Sequence, residues 1–560
     1  MTIGARVPYP TILSRRYLRA GYAVFVIFFL YGFYVTGPRL SHSRHIHRPH
    51  GVDQKGLQHF PGSICDLNVS SLHRYELSPD FHYARRYITT QVVEDEQSRP
   101  MGKVEGDLVP QLQHVSRAQD DLIPLSYCQE EPLALSIRPA RRRYDNATVL
   151  FGVATTAQRL KDSLPQMHHW LTRGNGRLVA LVPNDEMIPE VRTEMQAWGI
   201  DGTVKISKAD YPSRYFDLVK ELHNEVRALS SLHAPVQWVS LIDDDTFFPS
   251  MTNLISMLKT HDHTKPQYVG AVSEDFHQIV RHGYFAFGGA GIFLSLPLLD
   301  ELMAAYPACR QSEENVDQGD LRLVHCIFHH TTTKLSVEHG LHQMDLFGDP
   351  RGLFESGRSL LSLHHWKSWF RLDVMKLSMI ADVCGEDCIL QRWTFRPSPI
   401  SVPKRPVTIP FISTTFSSQS KPPQSALVLN NGFSIVEYLT PLPPDFQQVE
   451  KTWDINADLR DDHTRTLADD ATDFAHSLAP IRAELEEGKD KISYDLVDSI
   501  REPGGRVRQV YIKRGKSSKE PGKAKGDFED EEDVVIELIW AREFSWTQSE
   551  AEQSRRGGTE

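Results

Sequence analysis

Regular patterning of apolar and polar positions begins near Asn146. The segment ATVLFGVATT reads as a buried strand, and RLKDSLPQMHHWLTR after it spaces its apolar residues as a helix does, despite an internal Pro165. GRLVALVP is a second apolar run closed by a proline. PEVRTEMQAWG then reads as helical, GTVKIS as short and extended, and YFDLVKELHNEVRALSSLH as a strongly periodic helix leading into VQWVSLI. Strands alternating with helices imply a mostly parallel sheet covered on both faces. The expected class is therefore α/β, with its binding site outside the carboxyl ends of the strands.

On either side the pattern changes. From about Thr36 to Arg143 the chain is polar and irregular, rich in His, Arg, Ser and Pro, and reads as a stem. After about Trp393 come the proline-rich SPISVPKRPVTIPF, a serine-rich loop and the extended-looking ALVLNNGFSIVEYL. Lys516 to Asp533 is a charged, low-complexity stretch that buries little surface and is expected to be disordered. The organisation expected is a cytoplasmic tail over 1–19, a membrane span over 20–38, a lumenal stem over 39–145 and the α/β domain over 146–395. A C-terminal extension over 396–515, partly packed on that domain, and a largely disordered tail over 516–560 follow.

The span is Ala20 to Pro38 (AGYAVFVIFFLYGFYVTGP), which has no charged side chain and as a helix nearly crosses a hydrocarbon core of ~30 Å. Arg6, Arg15, Arg16 and Arg19 precede it and Arg39, Arg44 and Arg48 follow it, so the flanking charges orient it only weakly. It is long for the core of a signal peptide and lacks a small-x-small cleavage site, so a retained signal-anchor is expected. The sequons Asn68-Val69-Ser70 and Asn146-Ala147-Thr148 lie beyond it and favour a lumenal C-terminal portion.

Composition adds bounds. With 560 residues, 40% of them hydrophobic, the chain has enough for two or three domains with a substantial core. A net charge of -11 without a dominating Lys/Arg block lacks the basic footprint of nucleic-acid binding. Six cysteines, an even number, suit an oxidising compartment; Cys309 with Cys326 and Cys384 with Cys388 are the near neighbours expected to pair, leaving Cys65 and Cys128. CGEDC has no second matching ligand pair to make a zinc site.

The candidate chemistry lies in QWVSLIDDDTFFPS, where an apolar strand ends in three carboxylates. If the extended conformation continues, Asp243 and Asp245 share one face, and paired carboxylates attract a hard divalent cation such as Mg²⁺ or Mn²⁺. That cation in turn would neutralise a diphosphate. The alternative is a strand-to-helix junction with an Asp as N-cap of TFFPSMTNLISMLK. Three adjacent carboxylates repel one another, however, and need compensation from elsewhere in the chain.

The compensating residues occur as an ordered set. TTAQRL, IDDDTFF, FAFGGAGIFLS, DQGDLRLVHCI, EHGLHQMDLFGD and SLHHWKSW, with NGFSIVEY as a looser C-terminal match, resemble the Fringe-like glycosyltransferases of family 31, particularly their fungal branch. The resemblance covers about Asn146 to Trp393. It implies a GT-A fold and a UDP-sugar donor, with Mn²⁺ as cofactor. It also implies transfer with inversion to a glycan or glycoprotein acceptor, often through a β-1,3 linkage, in a type II protein of the Golgi membrane. Asp245 takes the metal role, Asp243 and Asp244 hold the donor, and Asp320 takes the place of the catalytic base. The family usually has two adjoining acidic residues there, so Asp317 is the alternative.

The resemblance also gives His364 the histidine of the metal shell, with His365 next in line. Gly289 and Ala290, in a run without the GxGxxG spacing, are expected in the wall of the sugar pocket. Arg159 is placed to reach the nucleotide, or else is a solvated helix arginine. His342 and Asp345 match residues of this branch without an assigned role. A membrane-tethered glycan-binding or chaperone-like protein of the same fold and a nucleotide-sugar hydrolase are the rival readings. The intact IDDDTFF favours an enzyme.

Overall fold

The computed structural model describes residues 64–543, apart from 94–100, 110, 119–121, 130, 138–148, 174–175, 185, 231–235, 313–315, 371, 396–425, 455–477, 479 and 516–530. Ala20–Pro38 and Asn146 lie outside the described residues. No helix among those described is long and apolar enough to cross a membrane.

A seven-stranded sheet forms where the strand-helix alternation predicts it. Val149–Ala154, buried at every position, is flanked in parallel by Trp238–Ile242 and Arg177–Val182, and Gly202–Ile206 continues that side. On the other side Ile292–Ser295 runs antiparallel between Trp238–Ile242 and Tyr268–Gly270, and Leu335–Val337 ends the sheet. Period-two alternation divides the apolar residues between two faces. Val149, Phe151 and Val153 pack with the Ala157–Arg173 and Ile188–Ala197 helices, whereas Leu150 and Ala154 pack with Tyr211–Ser230, Leu296–Ser312 and Gly319–His330. At Gly152 a Cβ would come within 2.9 Å of Leu222, so glycine lets the Tyr211–Ser230 helix lie close to the sheet.

The flanking segments differ from expectation. Strands between residues 80 and 137, expected as stem, and between 426 and 541, expected as a partly packed extension and a tail, build a second, ten-stranded sheet together with Arg392–Phe395, while the charged residues 516–530 lie outside the described residues. Asp80–Val92 pairs in parallel with Asp533–Ala541, Phe81 standing opposite Asp533, and the latter strand is buried at all nine positions. Beyond it follow Arg506–Lys513, Lys491–Glu502, Ser434–Tyr438, Ala426–Asn430, Arg392–Phe395 and Met101–Val104; Gln113–Ser116 and Leu133–Ile137 pair with the outer edge of Asp80–Val92. The apolar run VVIELIWA thus finds its partner at the opposite end of the chain.

One hydrophobic core joins both sheets, with Trp393 and Trp540 (ring centroids 5.9 Å apart) in the same cluster as Phe151 and Trp170. Asp382 ties them further, receiving Arg173 at 2.5 Å from the first domain and Arg501 at 2.6 Å from the second sheet. The expected Cys309–Cys326 and Cys384–Cys388 disulfides are present, and Cys65–Cys128 completes the set. Cys309–Cys326 staples the Leu296–Ser312 helix to Gly319–His330, the helix that begins beside Asp320.

Candidate active site

The three aspartates form a turn at the carboxyl end of Trp238–Ile242. The Thr246 N–H donates to the Asp243 carbonyl at 3.2 Å, while the Thr246 hydroxyl accepts from the Asp243 N–H at 3.1 Å and donates to the Gly289 carbonyl at 2.9 Å. Ser250, rather than an aspartate, caps the next helix, Met251–Leu258, which leaves the three carboxylates for other partners. Phe247 and Leu363 exchange two backbone hydrogen bonds of 2.8 Å, and this pairing carries the SLHHW segment onto the turn.

There His364 meets both alternate aspartates. Its Nε2 lies 3.1 Å from Oδ1 of Asp245 and 3.4 Å from Oδ2 of Asp243; the two aspartates converge through the turn and not through a continued strand, whose period-two alternation is the sequence expectation. Its Nδ1 stands 3.0 Å from the Gln343 carbonyl, an acceptor only, so Nδ1 carries a proton and Nε2 is the nitrogen presented to the carboxylates. Burial alone would lower the His364 pKa, but the hydrogen bonds and charges of Asp243 and Asp245 outweigh it and push it up to about 10. Burial would likewise raise Asp245, but the hydrogen bond and charge of His364 take it down to about 2. The donor set suits a divalent cation: Nε2 of an imidazole oriented through Nδ1 lies 3.1 Å from the ionised Asp245 carboxylate, and a bound cation would take the place of the proton between them.

Asp244 has other partners. Arg159, in the first turn of the helix after the first strand, grips it with two bonds of 2.6 Å, and the Thr155 hydroxyl donates to the same carboxylate. The Arg159 side chain is 56% exposed, so the pair stands at the rim with its guanidinium open to a ligand. Lys367 lies beside it, donating to the Arg159 carbonyl at 3.1 Å and to the Ser163 hydroxyl at 2.8 Å, and burial lowers its pKa.

Asp320 sits in the first turn of Gly319–His330, where its carboxylate accepts from the Gly288 N–H at 3.2 Å and from the Leu321 N–H at 2.9 Å. Burial, and then the charge of Asp243, push its pKa up to about 6. The Tyr211 hydroxyl stands 3.3 Å from Asp243 and feels the charges of Asp243, Asp320 and Asp244, so its pKa is also raised. Asp317, the alternative base, is exposed and is not drawn into this group.

The glycine run supports the site from behind. Gly289 lies against the His364 ring, whereas Ala290 is fully buried, its N–H donating to Gln343 at 3.1 Å and its carbonyl accepting from Ser362 at 2.7 Å. Ala290 therefore braces the histidine segment rather than lining an open wall. His342 is wholly buried against Glu274 at 3.0 Å. Asp345 accepts from Ser273 at 2.5 Å and stands 3.2 Å from Nε2 of His365. Sequence reasoning assigned no part to Thr155, Tyr211, Gln343 or Lys367. Each lies in or next to a segment it read as strand, helix or motif, where periodicity says nothing about side-chain partners.

A family described as "Protein of unknown function, DUF604" matches residues 278–372, from before the glycine run to beyond the histidine pair. No curated protein matches the chain. Solved structures that resemble part of this chain include glycosyltransferases. The glycosyltransferase GlyE of Streptococcus pneumoniae TIGR4 is 15% identical over 34% of this chain and 45% of its own, less than half its length, with a TM-score of 0.23. Mouse xyloside xylosyltransferase 1 is 10% identical over 34% of this chain and 85% of its own, with a TM-score of 0.24. Core-mannan synthase A of Aspergillus fumigatus, solved in an Mn/GDP form, is 8% identical over 36% of this chain and 75% of its own, with a TM-score of 0.23. Similarities of this degree leave the functional reading to the geometry of the site itself.

Proposed function

We propose that the chain is a Mn²⁺-dependent inverting glycosyltransferase of the hexosyl or N-acetylhexosaminyl class. It moves a sugar from a UDP-sugar to a hydroxyl of a glycan or glycoprotein, with a β-1,3 linkage as the product. One observation carries the reading: Asp243 and Asp245 converge on Nε2 of His364 at a strand's carboxyl end, while Asp320, from a separate helix, is held apart in reach of Asp243's charge.

The division of labour follows from the environments. Asp245 and His364 would hold the cation, which when bound supplies positive charge to a leaving diphosphate. Arg159, oriented by Asp244, offers charge-assisted hydrogen bonds to the nucleotide's phosphates. Asp320, fixed by two backbone N–H groups and with its pKa raised toward neutrality, takes the proton from the acceptor hydroxyl. The Fringe-like resemblance supports the choice of UDP, of Mn²⁺ and of the linkage. The apolar run Ala20–Pro38 and the three disulfides support placing the chain as a type II Golgi protein with its folded part in the lumen.

The test is to incubate the purified chain with a panel of UDP-sugars and Mn²⁺, with and without glycan acceptors, and to follow UDP release. Release that rises with an acceptor supports transfer. Release indifferent to acceptor indicates a hydrolase, and donor binding without release indicates a non-catalytic binding protein.

A further inference from the structure

We propose that the cation at the acidic tip is held by two imidazoles and a carboxylate, His365 supplying the second nitrogen beside His364 and Asp245, so that the site selects a transition-metal ion over Mg²⁺. This rests on the transferase reading for the need of a cation and adds its ligand set and class.

A carboxylate oxygen of Asp245 and one ring nitrogen each of His364 and His365 lie within 4.8 Å of one another. Ligands sharing an ion through bonds of about 2.0–2.2 Å stand at most about 4.4 Å apart, so small side-chain adjustments close such a set.

His365 is held as an oriented ligand is held. Its Nε2 faces Oδ1 of Asp345 at 3.2 Å, and Asp345 is itself fixed by the Ser273 hydroxyl at 2.5 Å and by Nε2 of Gln343 at 3.4 Å. A carboxylate on one imidazole nitrogen directs the other nitrogen's lone pair toward a metal and raises its basicity. The ring also lies flat on Trp369, with centroids 3.8 Å apart and planes 8° from parallel, which removes its freedom to turn.

The backbone points the same way. Successive residues of an extended segment send their side chains to opposite sides. Here the rings of His364 and His365 have centroids 3.8 Å apart, and His365 sits at φ 55°, in the left-handed region. Met344, in the neighbouring segment that supplies Gln343 and Asp345, is at φ 63°. Such conformations cost about 1–3 kcal/mol each in a non-glycine residue and persist where the surroundings impose them. Setting both imidazoles beside Asp245 is what this one achieves. The donor chemistry then bears on the ion: Mg²⁺ prefers oxygen ligands in near-ideal octahedral geometry and sheds water reluctantly, whereas imidazole is a ligand of first-row transition-metal ions.

The test is Mn²⁺ binding to the full chain without nucleotide, read from the electron paramagnetic resonance signal of free Mn²⁺, with Mg²⁺ as competitor. Wild type should retain Mn²⁺ against a hundredfold excess of Mg²⁺. His365→Ala should bind Mn²⁺ at least tenfold more weakly and yield to Mg²⁺. Asp345→Asn, which keeps the shape of the network, should weaken binding in the same direction while leaving the circular dichroism and melting curve of wild type. Wild-type Mn²⁺ affinity in both variants, with binding lost in Asp245→Ala, overturns the two-imidazole centre and leaves the transferase reading standing. Mn²⁺ binding indifferent to Asp245→Ala as well overturns both.

Discussion

Gly289 lies directly against His364: a Cβ built there would stand 2.2 Å from Cε1 and Nδ1 of the imidazole. The metal-facing histidine therefore occupies space that only a residue without a side chain leaves free. Gly289→Ala should displace the ring from Asp245 and reduce donor-dependent turnover at least tenfold. Overpacking of this kind costs about 1–3 kcal/mol, so the variant should still fold, with a lower melting temperature. Calorimetry and turnover on the same preparation check both parts.

Asp320→Asn should keep donor affinity and lose about 10²–10⁴ in transfer rate, since only the proton acceptor is altered. The pH dependence has a definite sign. The base must be ionised, so kcat/KM should fall as pH drops through about 6, where the acid form of Asp320 takes over. Stability moves the other way. The folded pKa lies above the ordinary carboxylate value, so Asp320 costs the fold nothing at low pH. Its penalty develops as pH rises from about 4 to about 6 and is fully present above that. At pH 7.5 Asp320→Asn should thus be more stable than wild type by about 3 kcal/mol, a gain that vanishes below pH 4.

Arg159 and Asp244 are joined by two bonds of 2.6 Å, yet the arginine is more than half exposed. Asp244 is buried, however, so Arg159→Ala leaves a buried carboxylate without its two ionic hydrogen bonds and should lower the melting temperature. Donor binding should suffer as well: the KM for UDP-sugar should rise about tenfold, the loss of a charge-assisted contact of ~1.5 kcal/mol, with acceptor KM unaffected. Steady-state kinetics with each substrate varied in turn decide it.

The disulfides give a test of the architecture. Cys65 and Cys128 are 63 residues apart in sequence, whereas Cys384 and Cys388 are 4 apart. By loop-closure entropy the first bond stabilises by about 4 kcal/mol and the second by about 2 kcal/mol. Replacing Cys65 and Cys128 by serine should therefore lower the denaturation midpoint of the whole chain more than replacing the other pair. A floppy stem would make that change silent.

Much of the first sheet was legible because its signals are local. Val149–Ala154 and Trp238–Ile242 are apolar runs followed by acidic or small residues, and the helices between them keep a 3.6-residue period. The second sheet was not legible for the opposite reason. Asp80–Val92 reads as mixed and polar by itself, and it becomes a strand only when Asp533–Ala541 lies beside it. No periodicity announces a partner at the far end of the chain. The site divides in the same way. Asp243, Asp245, Asp320 and His364 stood out as residue types in motifs, whereas the Asp345–His365 contact and the Tyr211 hydroxyl depend on loop geometry and become visible only in three dimensions.

The central claim is that a divalent ion bridges Asp245 to a diphosphate, and UDP titration calorimetry with and without Mn²⁺ tests it most directly. Wild type should bind UDP at least tenfold more tightly with Mn²⁺ present, and folded Asp245→Ala should show no such gain. An undiminished Mn²⁺-dependent gain in Asp245→Ala would contradict the account.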